Sequence, residues 1–127
     1  MKRDWNLLGE IFNHIEDENL EDFIDHFEDK TDPLLGNERL LKHVELLVDA
    51  GFVLGVEVIR ANGKITGYGT DEPRITLEGY DFADIVQDKK LLSRTIKTIE
   101  KAGFLVTMET LKAYAPKVLQ LAVTSVL

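Results

Sequence analysis

Few residues in this sequence are equipped for chemistry. His14, His26 and His43 lie far apart, and only Asp22 and His26, four residues apart, place two metal-ligating groups on one helical face. Two ligands do not close a metal site, so the pair reads as a surface histidine beside an acid and no metal is expected. Ser93 and Ser125 fall in helical stretches with no neighbouring histidine, so each lacks the base a serine nucleophile needs. Gly67-Tyr68-Gly69 has neither the lysine nor the following helix of a phosphate-cradling loop. The paired carboxylates of residues 16–32 read as solvated helix faces rather than an acid–base pair. The chain has no cysteine, which excludes disulfides, thiolate zinc sites and cysteine nucleophiles. The expectation is a protein without catalytic residues or cofactors, and not an enzyme.

Binding is what remains. Asn37, Arg39, Lys42 and His43 fall off the apolar stripe of one helical segment, and Arg60 and Lys64 flank a tight turn. Arginine and lysine meet phosphates, and Asn37 or Arg39 is suited to base edges. These six are the candidate DNA contacts. Glu38 and Glu45 share the helix, and a DNA reader usually shows a clearer basic footprint, so the same residues also read as ordinary solvated surface.

Charge points to a second kind of partner. Residues 1–36 carry three bases against eleven acids, a balance of −8 that equals the net charge of the whole chain. Residues 37–73 stand at −2 and residues 74–127 at +2. An acidic lobe repels phosphate and attracts basic surfaces, so the N-terminal third is either a solubilising face or a dock for a basic protein. A third surface lies near the C-terminus, where Leu111, Val118, Leu119, Leu121, Val123 and Val126 make one helix apolar nearly all round. A homodimer through this helix is the expectation, with packing on its own domain and membrane-surface contact as alternatives.

The elements that must position these groups follow from periodicity. Asp4 caps a helix in which Trp5, Leu8, Ile11, Phe12 and Ile15 form one stripe, ending near Asp17. Asn19 caps a shorter helix with Leu20, Phe23, Ile24 and Phe27 on one face, stopped by Asp32-Pro33. The next helix spans about residues 37–50 and buries Leu40, Leu41, Val44, Leu47 and Val48. The period then becomes extended. Phe52 to Arg60 is rich in β-branched residues, Asn62-Gly63 is a strong hairpin turn, and Ile65 to Gly69 returns. Residues 67–73 read as a loose tip, with a short last strand at 74–76. Thr76 then caps a helix from Leu77, a basic helix covers about residues 89–102, and Thr107 caps the last, with Pro116 inside it.

Helix, helix, helix, hairpin, helix is the order of a winged helix-turn-helix, with the Asn62-Gly63 hairpin as wing and the helix of residues 37–50 as recognition helix. The expected fold is α+β: a winged-helix domain over residues 1–88, with residues 89–127 as a C-terminal helical extension packed on it or forming a dimer interface. In Arg74-Ile75-Thr76-Leu77-Glu78-Gly79-Tyr80-Asp81-Phe82, a threonine oxygen is placed to accept a backbone N–H while the glycine permits close strand–helix approach. That segment resembles the exit from the wing in bacterial winged-helix regulators. Together with Met1-Lys2-Arg3-Asp4-Trp5-Asn6-Leu7-Leu8, the stretch from His43 to Val53 and Lys101-Ala102-Gly103, it is similar to a family of small phage and prophage proteins of uncharacterised function, themselves resembling YjcQ-like winged-helix proteins. Tyr80 and Leu92 depart from that pattern, and the stretch from Leu20 to Gly36 is longer and more acidic. The resemblance implies a fold and a phage-derived origin, and no activity. With no apolar run long enough for a bilayer and no visible signal peptide, the expected location is the cytoplasm.

Overall fold

Asp4 opens the chain's first element as its sequence requires: its carboxylate accepts the Leu7 N–H at 3.1 Å, satisfying a donor that the first helical turn leaves unpaired. The computed structural model describes residues 2–126, with side chains as far as Leu121. Among the described residues it is a mixed α+β chain of six α-helices and one two-stranded antiparallel hairpin. The elements are α1 (Trp5–Glu16), α2 (Leu20–Asp25), a 3₁₀ turn (Pro33–Leu35), α3 (Glu38–Asp49), β1 (Val53–Ala61), β2 (Lys64–Ile75), α4 (Leu77–Val86), α5 (Lys89–Lys101) and α6 (Met108–Val126). No helix among them is long and apolar enough to cross a membrane.

The chain divides into two compact units, Met1–Tyr80 and Asp81–Leu127. In the first, α1 packs against α2, α3 and β2, and α3 lies against β1. Leu8, Ile11, Phe12, Ile24, Leu40, Val44 and Leu47 are fully buried there, so the apolar stripes expected for the first three helices largely form its core, whereas Trp5, Phe23, Phe27 and Val48 are only half-buried. In the second unit α5 packs on α6, and Leu92, Ile99 and Leu111 are buried. The caps of these helices are local: Asp88 accepts the Lys90 and Leu91 N–H groups, and Thr107 and Thr110 cap reciprocally through their hydroxyls and backbone amides.

Three local expectations are corrected. The α2 helix ends at Asp25, well before Asp32-Pro33. Asp32 instead caps the 3₁₀ turn by accepting the Leu34 N–H, and Pro33 takes the first-turn position that suits its fixed φ. Asn19 stands at the N-terminus of α2 without a side-chain cap bond, because its amide oxygen faces His14 Nδ1 at 2.8 Å. The strand expected to stop at Gly69 runs on to Ile75. Its ladder with β1 slips between Leu54 and Val56, so residues 71–73 lie opposite Gly55 with no paired Cα. Pro73 therefore breaks no ladder bond, and a β-bulge absorbs the residues that look like a loop. Gly55 has φ +78°, and a Cβ there would run into the carbonyls of Asp71 and Glu72.

The hairpin turn is as expected: Asn62 (φ 53°) and Gly63 (φ 77°) both adopt the left-handed region. So is the exit from β2. The Thr76 hydroxyl donates to the Gly51 carbonyl at 2.7 Å and accepts the Gly79 N–H at 3.0 Å, while the Thr76 N–H reaches the Phe52 carbonyl at 3.0 Å.

Candidate functional site

The six residues proposed for DNA contact sit on α3 and the hairpin, but most are already engaged. Arg39 is held between two acids, its Nε 2.9 Å from Asp29 Oδ2 and its Nη1 3.0 Å from Asp4 Oδ2, and its side chain is only 17% exposed. Lys42 pairs with Glu38 at 3.4 Å, one turn away. Arg60 forms a two-point fork on Glu45 (2.7 and 2.6 Å) and donates to the Gly63 carbonyl at 3.0 Å. Asn37 stands at the N-cap of α3 without a side-chain cap bond. Lys64, at the first position of β2, is exposed and forms no ion pair among the described residues.

His43 is buried, with both ring nitrogens committed. Nε2 lies 2.9 Å from the Asp4 N–H, which can only donate, and Nδ1 lies 2.7 Å from the Arg39 carbonyl, which can only accept. The ring is therefore the neutral tautomer with its proton on Nδ1. Burial is the main cause that pushes its pKa below the ordinary histidine value, helped by the Arg39 charge. Protonation would remove the acceptor that Asp4 uses. The unfolded chain binds a proton near pH 6.5 that the folded chain refuses, so this contribution to stability is whole above that pH and shrinks as pH falls below it. The urea midpoint is expected to fall from pH 7 to pH 5 in wild type, and to fall less in His43→Gln, which has no group titrating there. Equal slopes in the two proteins would remove His43 from this role.

Sequence reasoning missed the acids that bind these bases. Asp29 is buried, accepts the Thr31 and Asp32 N–H groups at 2.9 and 3.2 Å, and is held below the usual carboxylate range chiefly by Arg39. Glu45 is lowered in the same way by Arg60. The spacing of Asp29 before Thr31 and Asp32 is that of an Asx turn, and this was the available signal that one of eleven acids turns inward.

Six other acids of the N-terminal third point outward. Glu10, Glu18, Glu21, Asp22, Asp25 and Glu28 are all exposed, and among the described residues none forms an ion pair with lysine or arginine. Asp25 accepts the Tyr68 hydroxyl at 2.6 Å and Glu21 accepts the Thr70 hydroxyl. Burial, then the Asp25 contact, pushes the Tyr68 pKa upward. These contacts hold α2 against β2. Two clefts flank α2. One of about 700 Å³ is lined by Glu18, Glu21, Asp22 and Glu72 around Ile15 and Leu20. The other, about 610 Å³, sets Asp4, Glu10, Asp22 and Glu28 around Phe23, Phe27 and His14, with Lys30 and the acid-paired Arg39 also in its lining. His14 stacks on Phe23 at 3.9 Å, and Phe27 meets Phe23 edge-on at 5.6 Å. Carboxylates beside aromatic rings make a setting for ammonium and guanidinium groups. The Asp22–His26 pair is present at 3.2 Å and exposed, and no cluster suited to a metal ion occurs among the described residues.

The proposed C-terminal interface is split by its helix. Leu111 and Val118, seven residues apart, turn inward and are buried, while Leu119 and Leu121 are exposed. The side chains of Val123 and Val126 lie outside those described. At about 100° per residue, Leu119 and Leu121 stand on nearly opposite sides of α6 and do not form one stripe with each other.

The architecture and surfaces define a small α+β protein with an inward-facing ion network and an outward acidic face. Over residues 2–105 the chain matches the family described as Hypothetical protein (DUF2513), and it belongs to that family. No curated protein and no solved structure matches it.

Proposed function

We propose that the chain is a non-catalytic protein-interaction module on a winged-helix scaffold, and that its acidic face on α1 and α2 receives a basic protein partner. The winged-helix reading, and with it the likeness to small phage and prophage proteins that resemble YjcQ-like winged-helix proteins, is supported by the order of three helices, a hairpin turning at Asn62-Gly63, and a helix. One observation carries the choice of partner. Three of the four cations that would meet phosphate are occupied by acids, Arg39 by Asp4 and Asp29, Lys42 by Glu38 and Arg60 by Glu45, whereas Glu10, Glu18, Glu21, Asp25 and Glu28 form no ion pair with lysine or arginine among the described residues. A surface of this sign steers basic groups toward it and keeps nucleic acid away.

The test is titration of a lysine- and arginine-rich peptide into the full chain and two variants of equal net charge. Glu10→Gln/Asp22→Asn/Glu28→Gln removes three acids of the aromatic cleft, and Glu57→Gln/Asp71→Asn/Glu78→Gln removes three acids elsewhere on the same unit. Three exposed charge contacts at about 0.5 kcal/mol each predict roughly tenfold weaker binding for the first variant and little change for the second. Equal weakening would mean that only net charge matters. Retention of duplex DNA that depends on Lys42 and Lys64 would return the function to the helix and wing.

A further inference from the structure

We infer that α5 and the turn after it form a second binding surface, for single-stranded nucleic acid. The first unit carries eight bases against eighteen acids, while Asp81–Leu127 carries seven against five. Within α5 the imbalance is concentrated, with five bases and the single acid Glu100. Lys90, Arg94, Lys97 and Lys101 follow the spacing four, three, four. At about 100° per residue they fall within about 60° of one another, along about 16 Å of helix axis. All four are exposed, and their side chains form no ion pair among the described residues. Glu100 lies about a quarter-turn away from this line. Leu91, Leu92, Thr95 and Ile99 are buried on the opposite side, so the basic line faces outward because its reverse side is core.

A second observation lies at the end of the line. The Phe104 N–H bonds to the Ile99 carbonyl at 3.2 Å and the Gly103 N–H to the Glu100 carbonyl at 3.0 Å, a Schellman turn that fixes Phe104 just beyond α5. Phe104 is 57% exposed. Its ring lies 6.3 Å from that of Tyr114, which also carries the Lys117 ammonium at 5.0 Å from its centroid. Four cations in a row followed by an open aromatic ring match a polymer that alternates anions with flat, unstacked rings. A duplex keeps its bases stacked inside, a lipid surface offers no rings to stack on, and the acidic face of a second copy supplies carboxylates without a free base.

The experiment is fluorescence anisotropy of a labelled oligothymidylate of roughly 20 nucleotides with the full chain, from about 50 to 200 mM salt. Four phosphate contacts on a single strand predict a slope of log K against log salt of about −2.8. Lys90→Gln/Lys97→Gln is expected to weaken binding and halve the slope to about −1.4. Phe104→Ala is expected to weaken binding by about fivefold or more with the slope unchanged. Lys42→Gln/Lys64→Gln, the same charge change on the first unit, is expected to have no such effect. Far-UV circular dichroism verifies that each variant is folded. The inference is overturned by absence of binding at about 50 mM salt, or by equal loss in the Lys42/Lys64 variant. It is also overturned by tighter α5-dependent binding to duplex DNA or anionic vesicles, or by a rise in mass on light scattering that the α5 variant abolishes.

Discussion

Arg39→Ala is expected to lower the stability of the protein by about 3 kcal/mol, the low end for removing one partner from a buried ion pair, because the side chains of Arg39 and Asp4 keep 17% and 36% of their exposure. The Arg39 side chain closes a network that the chain cannot otherwise satisfy. Asp29 has no exposed side-chain surface, and without the guanidinium it keeps two backbone N–H donors, from Thr31 and Asp32, but no counter-charge. Asp4 would lose the same partner while still capping α1. Urea unfolding followed by the fluorescence of Trp5, the only tryptophan, reads this directly on the first unit. The pH dependence supplies an internal check. The pKa of Asp29 is lowered in the folded protein, so its contribution is present above the ordinary carboxylate range and is lost as pH falls through the lowered value. The gap between wild type and Arg39→Ala should therefore narrow in strong acid, where Asp29 is neutral in both. Arg39→Lys should fall between them, since an ammonium lacks the planar fork that reaches two carboxylates at once. If Arg39 were a solvated side chain waiting for DNA, alanine would change stability by about 0.5 kcal/mol or less. That result would revive the DNA reading of α3.

Arg39 also shows where sequence reasoning stops. On a helical wheel Arg39 lies off the apolar stripe, among Glu38, Lys42 and Glu45, and nothing local distinguishes a paired, sunken arginine from a free one. Its partners are ten and thirty-five positions away, so its role depends on how the acidic loop before α3 folds back. His43 is hidden for the same reason, because the N–H it accepts belongs to Asp4. Local interactions were legible. The Asp4 cap, the Asn62-Gly63 turn and the Thr76 contact with Gly79 each depend on residues within a few positions, and the structure contains all three. β2 was misread beyond Gly69 because Gly, Asp and Pro mark loops on average. A two-stranded ribbon has two edges and tolerates such residues where a bulge suspends the ladder. The excess of acids was visible in composition, but their division into one inward carboxylate and an outward face was not.

The Thr76–Gly79 junction gives the second large effect. Gly79→Ala is expected to destabilise the protein by about 3 kcal/mol, at the upper end of ordinary overpacking, although the residue lies at a helix start where alanine is normally favoured. A Cβ at Gly79 would fall on the Phe52 carbonyl oxygen, with the Phe52 carbonyl carbon and Ile75 Cγ2 both 2.9 Å away. The carbonyl cannot swing aside. It accepts the Thr76 N–H, and the Phe52 N–H is itself bound to the Leu47 carbonyl at the end of α3. Relief therefore requires the first turn of α4 to lift from the chain at Phe52, which breaks both bonds of the Thr76 hydroxyl, to Gly51 and from Gly79. Gly67→Ala is the control. Nothing lies within 4 Å of the position its Cβ would occupy, and adding the methyl should change stability by no more than about 0.5 kcal/mol. Urea midpoints of the two variants separate steric approach from general loss of glycine. Amide exchange at Thr76 and Gly79 should accelerate only in Gly79→Ala, because only that methyl forces α4 away from its anchor. If the two variants unfolded at the same midpoint, the close approach at Phe52 would carry no weight in the fold, and the glycine would be explained by chain flexibility alone.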